Sequence, residues 1–356
     1  MADIKLIKLT EQLIDIPSVS FSEGRIADFI FEFLSECSHL KVQRIGNCII
    51  AENIVDGREA TVCLAGHIDT VPPNNNDKSH YSDQKLYGLG ATDMKGGIAV
   101  MLKLAVNLVK PHFNLKFIFY PCEEVDNKHN GLRQLYEADL NYLSCDSAIL
   151  LEPTNGIIEA GCQGVVKLKI LVKGKRSHSA RPWMGLNAIH RSYKVIQGIA
   201  DFKEMRPIVD SLEFRETFQA VLVSGGIATN VVPDESVITA SYRFAPNKNS
   251  DEAVEYIKNY LGLFIESSLG DKIEVLDVSD AAYPGISNPI LNRIVSITKE
   301  VRPKLGWTDV AFFSKLNVPA INFGPGDSSL AHSEDEYVTD VQLCNVYDSL
   351  FKSLEN

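Results

Sequence analysis

The chain lacks the long apolar runs of a membrane or exported protein. None of its segments approaches the roughly 18–20 consecutive apolar residues that a membrane-spanning helix needs. Residues 1–20 have apolar positions spaced as in an amphipathic helix, without the continuous apolar run of a secretory signal. We therefore expect a cytoplasmic protein with no membrane partner.

The chain also lacks paired cysteine motifs and an excess of positive charge. The chain has seven cysteines, an odd number, and no CxxC pair, so neither a disulfide framework nor a cysteine-bound zinc is expected. The net charge of -11 argues against nucleic acid as a partner. A GK[ST] motif is missing, and the glycines of GLGATDMKGG do not fit GxGxxG, so nucleotide binding is not expected. An anionic small substrate would need a local cluster of Arg or Lys.

What is present is a chain of 356 residues, long enough for two domains. Short apolar runs predict buried strands, and helical patterns lie between them, the clearest directly after Asp93. This alternation predicts an α/β domain with a largely parallel sheet. The predicted strands are 61–65, 115–120, 147–151 and 318–323.

The middle of the chain has a different pattern. Residues 165–174 alternate between apolar and polar, as a strand with one exposed face does. The predicted order strand, helix, strand, strand, helix, strand fits a small two-layer α+β domain. We therefore divide the chain into a catalytic domain formed by 1–163 and 278–356, with an inserted domain at 164–277.

Candidate ligands follow the buried strands. His67 and Asp69 end TVCLAGHID, Glu123 and Glu124 end LKFIFYPCEE, and Glu152 ends DSAILLEP. Each has an ordinary alternative, because a lone His is often a capping or surface group and a Glu pair after a strand is usually solvated. In an open α/β sheet, however, the carboxyl ends of the strands form the ligand-binding edge.

Two further groups, Asp93 in GLGATDMKGG and His332 in GDSSLAH, complete a nitrogen and oxygen donor set suited to zinc, cobalt or manganese. Five protein ligands are too many for one open tetrahedral zinc. They suit two metal ions that share a carboxylate. Asp93 is the natural bridge, because Gly96 and Gly97 let the backbone pack close to the site.

Five motifs in order, GHIDTVP, YGLGATDMKGG, PCEEVDNKHNG, LLEPT and AHSEDEYV, resemble the M20 family of metallopeptidases and deacylases. The resemblance covers essentially the whole chain. It implies a di-zinc catalytic domain of the aminopeptidase and carboxypeptidase type, carrying an inserted ferredoxin-like α+β lid that makes a homodimer. It also implies two Zn²⁺ ions per subunit, for which Co²⁺ or Mn²⁺ can substitute.

Carried over by position, the resemblance implies that His67, Asp93 and Glu152 hold one zinc. Asp93, Glu124 and His332 would hold the other. Each ligand is named here from its place in the family motifs that this sequence matches.

The same resemblance implies three catalytic roles. Glu123 would be the general base and later the proton donor, and Asp69 would orient the imidazole of His67. His178, in SHSARPWMG, would reach into the site of the partner subunit and stabilise the oxyanion. Without the resemblance, His178 would be an ordinary loop histidine.

The resemblance also predicts the substrate, a small N-acyl amino acid. Three stretches, GWTDVAFFSKLNVPAINFGPGDSSLAH, GCQGVVKLKILVKGKRSHSARPWMGLNAI and GGIATNVVPDESVITASYRFAPN, are most similar to the actinobacterial desuccinylases of the family, which act on N-succinyl-diaminopimelate. The carboxylate contacts would be Arg181, Asn230 and Arg243, and the site would be lined by Gly306, Thr308 and Gly324.

Alternatives remain open at this point. Deacetylation of acetylornithine or acetylcitrulline, and release of a C-terminal amino acid, use the same metal set with a different pocket. A silent binding protein on the same fold would have lost a ligand or the base, and none is lost here. Two positions depart from the family pattern: Leu89 stands where an Arg is usual, and Trp307 where many relatives have a small polar residue.

Overall fold

The computed structural model describes residues 5–298 and 300–355. They fall into two compact units. The first comprises the chain up to Gly161, Pro284–Arg302 and the chain from Phe312 onward, and the second comprises Cys162–Tyr283 and Pro303–Ala311. The predicted division at 1–163, 164–277 and 278–356 stays a prediction. The units differ from it in that 303–311 packs with the middle segment.

Strands and helices alternate along the described chain. The strands are β1 (Lys41–Ile45), β2 (Cys48–Asn53), β3 (Thr61–His67), β4 (His80–Ser82), β5 (Lys85–Tyr87), β6 (Asn114–Tyr120), β7 (Ser147–Leu150), β8 (Ile158–Ala160), β9 (Gly164–Lys173), β10 (Ser177–His178), β11 (Ile208–Val209), β12 (Leu212–Glu213), β13 (Thr217–Gly225), β14 (Val231–Val232), β15 (Glu235–Phe244), β16 (Lys272–Ser279), β17 (Val301–Pro303), β18 (Ala320–Asn322) and β19 (Tyr337–Thr339). The α-helices are α1 (Leu6–Ile14), α2 (Gly24–Ser35), α3 (Gly96–Asn107), α4 (Gly131–Ala138), α5 (Ala188–Ala200), α6 (Ser250–Gly262), α7 (Pro289–Val295), α8 (Val310–Lys315) and α9 (Asp340–Leu354).

The first unit is built on a mixed sheet with the order β1-β2-β6-β3-β7-β18-β8-β17. Its centre is parallel, because β3 pairs in parallel with both β6 and β7, and β7 with β18. Strands covered on both faces have continuous apolar sequences rather than alternating ones. Strand β6 fits this rule, since all seven of its residues are buried. The α/β class predicted from the apolar runs is confirmed.

Helix α3 packs against this sheet and is apolar nearly all round. Nine of its twelve residues are buried, from Gly96 to Ala105. A helix that is apolar on every side is a core helix. It begins directly after the segment that carries Asp93, so the buried helix fixes the position of the carboxyl end of that segment.

The second unit has a four-stranded antiparallel sheet in the order β13-β15-β9-β16. Numbered along the chain, these strands lie in the order 2-3-1-4, which is the ferredoxin-like arrangement. Strands β9 and β15 alternate between buried and exposed positions, as the sequence predicted. Helix α6 begins at Ser250, and its N-cap Asn249 forms a capping box in which Asn249 and Glu252 exchange hydrogen bonds.

Among residues 5–298 and 300–355, we find no helix with the length and apolar character needed to cross a bilayer. All seven cysteines are free thiols, and Cys63 and Cys122 are buried, as expected from their apolar surroundings.

Candidate metal centre and active site

Three ligand-bearing segments leave neighbouring strands at the same edge of the large sheet. Strand β3 ends at His67, β6 ends three residues before Glu123, and β7 ends two residues before Glu152. Because β3 is parallel to β6 and β7, the carboxyl ends of the three strands meet. The imidazole of His67 and the side chain of Glu152 are both buried there.

Asp93 lies among these strand ends and takes part in two donor sets. Ligand atoms of His67, Asp93 and Glu152 lie within 4.8 Å of one another, and so do those of Asp93, Glu124 and His332. The five residues that the sequence predicted as ligands are thus brought together in two sets that share Asp93. His332 reaches its set from a loop, with a φ of 64° in the left-handed region.

The two oxygens of Asp93 face different histidines. Oδ1 lies 3.1 Å from Nε2 of His67, and Oδ2 lies 3.6 Å from Nε2 of His332. Two ligands on a tetrahedral zinc, each about 2.1 Å from the ion, are about 3.4 Å apart. Nε2 of His332 is also 2.8 Å from Oε1 of Glu124. The spacing and chemistry of these donors therefore fit a pair of metal ions bridged by Asp93.

The imidazole of His67 is held in the orientation that such a centre requires. Its Nδ1 lies 3.1 Å from the backbone oxygen of Asp69 and 3.5 Å from the carboxylate Oδ1 of that residue. A hydrogen bond donated from Nδ1 leaves the lone pair of Nε2 directed at the donor set. The orienting contact involves the Asp69 backbone as well as the carboxylate that the family resemblance implied.

Asp69 also has a second structural role that the sequence did not predict. Its Oδ1 accepts the backbone N–H of Glu123 at 3.0 Å, and its Oδ2 accepts the backbone N–H of Glu124 at 3.1 Å. The hydroxyl of Ser20 donates to the same Oδ2 at 2.8 Å. One buried carboxylate thus contacts His67 and holds the backbone of both acidic residues that follow β6.

Glu123 lies beside the metal sets without belonging to the pair that shares Asp93. One of its carboxylate oxygens is within 4.8 Å of ligand atoms of His67 and Glu124. A base must come within hydrogen-bond reach of the proton that it removes. The position of the Glu123 carboxylate next to the candidate donors makes it a candidate for this role.

The charges at the centre favour a bound cation. Burial on its own lowers the pKa of His67, but hydrogen bonds to Asp69 and Asp93 hold that pKa well above its usual value. Burial raises the pKa of Glu124, and the nearby charge of Asp93 adds to the shift. Crowded, partly buried carboxylates are costly unless a positive charge compensates them.

Glu336 is a further buried acid that the sequence analysis missed. Its carboxylate accepts hydrogen bonds from the backbone N–H groups of Gly90, Thr92 and Asp93. Burial raises its pKa to about 7, although these three hydrogen bonds act in the opposite direction. The only signal in the sequence was its place in the motif AHSEDEYV.

Three predicted residues form a cluster in the second unit. His178 in β10 pairs with Val231 in β14, directly after Asn230. The backbone N–H of Ser179 donates to the carbonyl of Asn230, and that of Arg181 donates to the carbonyl of His178. His178, Arg181 and Asn230 are all exposed. We refer to these three residues as the His178 cluster.

Arg243 lies far from the His178 cluster in the same unit. The cluster is next to the end of β15 that begins at Glu235, whereas Arg243 is eight residues further along this strand, about 27 Å away. In the described part of the chain, Arg243 has no ion-pair partner. Burial lowers its pKa.

The remaining predicted residues fall into both units. Gly306 and Thr308 belong to the second unit, where Thr308 is buried and its carbonyl accepts the Cys162 thiol at 3.7 Å. Gly324 belongs to the first unit, and a Cβ placed on it would lie 2.4 Å from the backbone oxygen of Glu152. Gly324 therefore allows a close approach to a ligand-bearing segment.

The two departures from the family pattern are accommodated locally. Leu89 is buried, and its backbone N–H donates to the carbonyl of Asn76 at 2.8 Å. The indole N–H of Trp307 donates to the carbonyl of Asp280 at 3.1 Å, within the second unit.

The chain is similar in sequence to known proteins. The chain is 43% identical over 334 residues to a protein of Mycobacterium tuberculosis assigned as a succinyl-diaminopimelate desuccinylase, covering 93% of each chain. It is 39% identical over 348 residues to a succinyl-diaminopimelate desuccinylase of Corynebacterium glutamicum, covering 96% of this chain and 93% of the relative.

Solved structures of low sequence identity share the fold. The aminopeptidase PepT of Bacillus cereus matches with a TM-score of 0.80 at 19% identity, covering 98% of this chain and 97% of that one. A dinuclear metal-binding M20 peptidase of Bacillus subtilis matches with a TM-score of 0.71 at 16% identity, covering 98% and 96%. The sequence pattern of peptidase family M20/M25/M40 matches residues 63–356. Together with the two donor sets that share Asp93, this match identifies the chain as a member of peptidase family M20/M25/M40.

Proposed function

We propose that the chain hydrolyses the amide bond of N-succinyl-LL-2,6-diaminopimelate, releasing succinate and LL-2,6-diaminopimelate, with two zinc ions per subunit. One observation carries the proposal. Two donor sets share Asp93, and the carboxylate of Glu123 lies beside them. Membership of a peptidase family and two desuccinylase relatives at 39% and 43% identity support the hydrolase class and the substrate.

Zinc at such a centre would lower the pKa of a bound water towards roughly 7 and would polarise the substrate carbonyl. Glu123 would accept a proton from the attacking water as the water oxygen forms a bond to the carbonyl carbon. It then delivers that proton to the leaving nitrogen as the carbon–nitrogen bond breaks. Asp69 keeps Glu123 in place, because it holds the backbone N–H of that residue.

Arginine side chains are assigned to bind the carboxylates of the substrate. We assign Arg243 to one of them because its half-buried guanidinium has no ion-pair partner in the described part of the chain. The planar guanidinium forms two parallel hydrogen bonds with a carboxylate. Arg181 and Asn230 are assigned to substrate contacts as well. Gly306, Thr308 and Gly324 are assigned to the lining of the site.

His178 is assigned to the oxyanion, supplied by the partner subunit of a homodimer. The support lies within the second unit. Arg243 is about 27 Å along β15 from the end beside the His178 cluster, which is too far for both to contact one small substrate from a single chain. A second copy of the chain would supply the missing group.

An apolar face on the second unit supports this homodimer. Ile189, Tyr193 and Ile196 lie on one exposed stripe of α5, at helical spacing. Strand β13 is an edge strand and exposes Leu222, of which 68% is accessible. Large exposed apolar patches and unpaired strand edges are typical of protein interfaces.

A substrate comparison tests the proposal. The purified zinc-loaded protein is assayed with N-succinyl-LL-2,6-diaminopimelate and with N-acetylornithine at equal concentrations. We expect kcat/KM to be at least about 100-fold higher for the succinyl substrate, because N-acetylornithine lacks the succinyl carboxylate and the second amino-acid carboxylate with which the assigned arginines would pair. A preference for N-acetylornithine would replace the proposed substrate, and no hydrolysis of either compound would favour a silent binding protein.

A further inference from the structure

The segment that carries Asp93 is held by a single buried carboxylate. Glu336 is only 1% exposed. Its Oε1 accepts the backbone N–H groups of Thr92 and Asp93, each at 2.9 Å, and its Oε2 accepts that of Gly90 at 3.1 Å. Three donors from one turn thus converge on one side chain.

Neighbouring contacts make this attachment rigid. The hydroxyl of Thr92 donates to the carbonyl of Tyr337 at 2.7 Å, and the backbone N–H of Gly88 donates to the carbonyl of Glu336 at 3.1 Å. On the other side, Lys95 is buried and donates from Nζ to the carbonyl of Ile16 at 2.8 Å. The turn between residues 88 and 95 is therefore tied to two other parts of the unit.

A carboxylate is the side chain that this turn requires. Its two oxygens can accept three hydrogen bonds at once, whereas an amide has only one accepting oxygen. In Glu336→Gln, the amide can serve Thr92 and Asp93 through its oxygen, but its NH₂ group then faces the N–H of Gly90. Buried N–H groups that lose their acceptor are costly.

Glu336 also joins two of the three segments that form the second donor set, those that carry Asp93 and His332. His332 lies four residues before it in the same loop, and Asp93 is held by it directly. The first donor set depends less on Glu336, because His67 and Glu152 follow strands of the central sheet. An effect of Glu336 should therefore be larger for the second set.

We propose that Glu336 is a positioning residue that fixes the shared ligand Asp93 relative to His332 and so sets the affinity of the second donor set for its metal ion. The inference rests on the proposed function, because it takes the two donor sets as metal sites. It adds a residue that touches neither substrate nor metal and whose effect passes through Asp93.

The test is a metal titration of the full-length protein after removal of metal. Zn²⁺ binding is measured by competition with a chromophoric chelator, and the visible spectrum of the Co²⁺-loaded protein reports ligand geometry. For Glu336→Gln, and for Glu336→Ala where it folds, we expect the second binding step to weaken about 10- to 100-fold. The first step should change by less than about threefold, and the Co²⁺ bands of the second site should shift.

Glu216→Gln is the matched control. Glu216 is equally buried, in the second unit, and its carboxylate accepts from the hydroxyl of Tyr242 and the backbone N–H of Ala245. We expect this variant to lose stability while both metal affinities stay the same. Positioning by Glu336 is refuted if folded Glu336→Gln binds both ions as the parent does, or if Glu216→Gln weakens the second step equally.

Asp93→Asn separates this inference from the proposed function. Loss of metal binding in Asp93→Asn, together with parent-like binding in Glu336→Gln, would overturn only the role of Glu336. If Asp93→Asn retained both binding steps, the shared ligand itself would be wrong, and both the metal centre and the inference would fail.

Discussion

Glu123 and Glu124 are adjacent in the chain and have the same side chain, yet the structure gives them different neighbours. Glu124 belongs to the donor set with Asp93 and His332, whereas Glu123 is grouped with His67 and Glu124. Their backbone N–H groups are held by different oxygens of Asp69. This fixed backbone places the Glu124 carboxylate in the candidate donor set and the Glu123 carboxylate beside it, which is the arrangement that the proposed roles of ligand and base require.

The first prediction separates these two roles. In Glu123→Gln we expect kcat to fall by about 100- to 10,000-fold, because a glutamine cannot accept the proton of the attacking water. Zinc content should remain near that of the parent when measured by elemental analysis of the same samples. Glu137→Gln, at an exposed residue paired with Arg133, should leave both quantities unchanged. If Glu123→Gln kept more than a few per cent of the parental kcat, Glu123 would not be the base.

For single residues, the sequence identifies the candidate ligands more readily than the residues that hold those ligands in place. His67, Glu124 and Glu152 follow apolar strands, and that position marks them as candidates. Ser20 and Glu336 make their contacts to groups distant in the chain or to backbone N–H groups. Such contacts leave no periodic pattern, so only the folded structure could assign them.

Among the elements, α3 determines how closely the Asp93 segment approaches the strand end that leads to Glu152. A Cβ on Gly97 would lie 2.4 Å from the backbone oxygen of Leu151 and 3.0 Å from its Cβ. No ordinary Cβ makes so close an approach to a backbone atom. The glycine predicted to allow close packing is therefore required for contact between helix and strand, and the two ligand-bearing segments depend on that contact.

The second prediction concerns this helix. In Gly97→Ala the added Cβ forces the helix away from the end of β7. We expect the free energy of unfolding to fall by about 1–3 kcal/mol because of this overpacking. Zinc affinity should fall as well, measured by chelator competition. Gly24→Ala is the control in the same unit, because a Cβ there would meet nothing within 4 Å. Equal behaviour of the two variants would contradict a close contact at Gly97.

In the second unit, one buried ion pair joins α5 to the sheet. Arg191 donates to Oδ1 of Asp271 at 2.9 Å and to Oδ2 at 2.7 Å. Asp271 also accepts the backbone N–H groups of Lys173 and Glu266, each at 2.8 Å. Burial on its own raises the pKa of Asp271, but these hydrogen bonds hold it below its usual value.

The third prediction follows from that pKa. A carboxyl whose pKa is lower in the folded protein adds stability above its unfolded pKa of about 3.9, and the gain disappears as the pH falls through the folded value. We expect Asp271→Asn to lower the free energy of unfolding by about 3 kcal/mol at pH 7, and by progressively less below a pH of about 4. Urea unfolding followed by tryptophan fluorescence measures this change in the second unit alone, because Trp183 and Trp307 are the only tryptophans of the chain. If the difference in free energy of unfolding between the parent and Asp271→Asn stayed constant with pH, the ion pair would not be the cause of that difference.

For the whole molecule, the order strand, helix, strand, strand, helix, strand predicted for the middle of the chain corresponds to β9, α5, β13, β15, α6 and β16. These strands and helices could be predicted because each has one exposed face and therefore a clear period, as in β9 and α5. Residues 303–311 could not be assigned to the second unit from the sequence. They contain little regular structure, and only their folded contacts place them there.

The fourth prediction tests the proposed homodimer. Leu222→Glu places a charge on the exposed edge strand β13, and we expect the mass in solution, measured by light scattering, to fall from that of two chains to that of one. The control is Val109→Glu, an equal change at an exposed apolar residue of the first unit. The proposed face would be wrong if Leu222→Glu kept the parental mass.

The distance between Arg243 and the His178 cluster along β15 has a consequence for genetics. If each site combines Glu123 of one chain with His178 of another, two inactive proteins can complement each other. Glu123→Gln and His178→Ala, unfolded together and refolded in equal amounts, should form mixed dimers that each contain one intact pair. Random pairing makes half of the dimers mixed, and one of the two sites in each mixed dimer is intact, so about a quarter of the parental activity should return. If each site is completed within one chain, no activity should return. A strain carrying both defective copies would then grow where neither copy alone suffices.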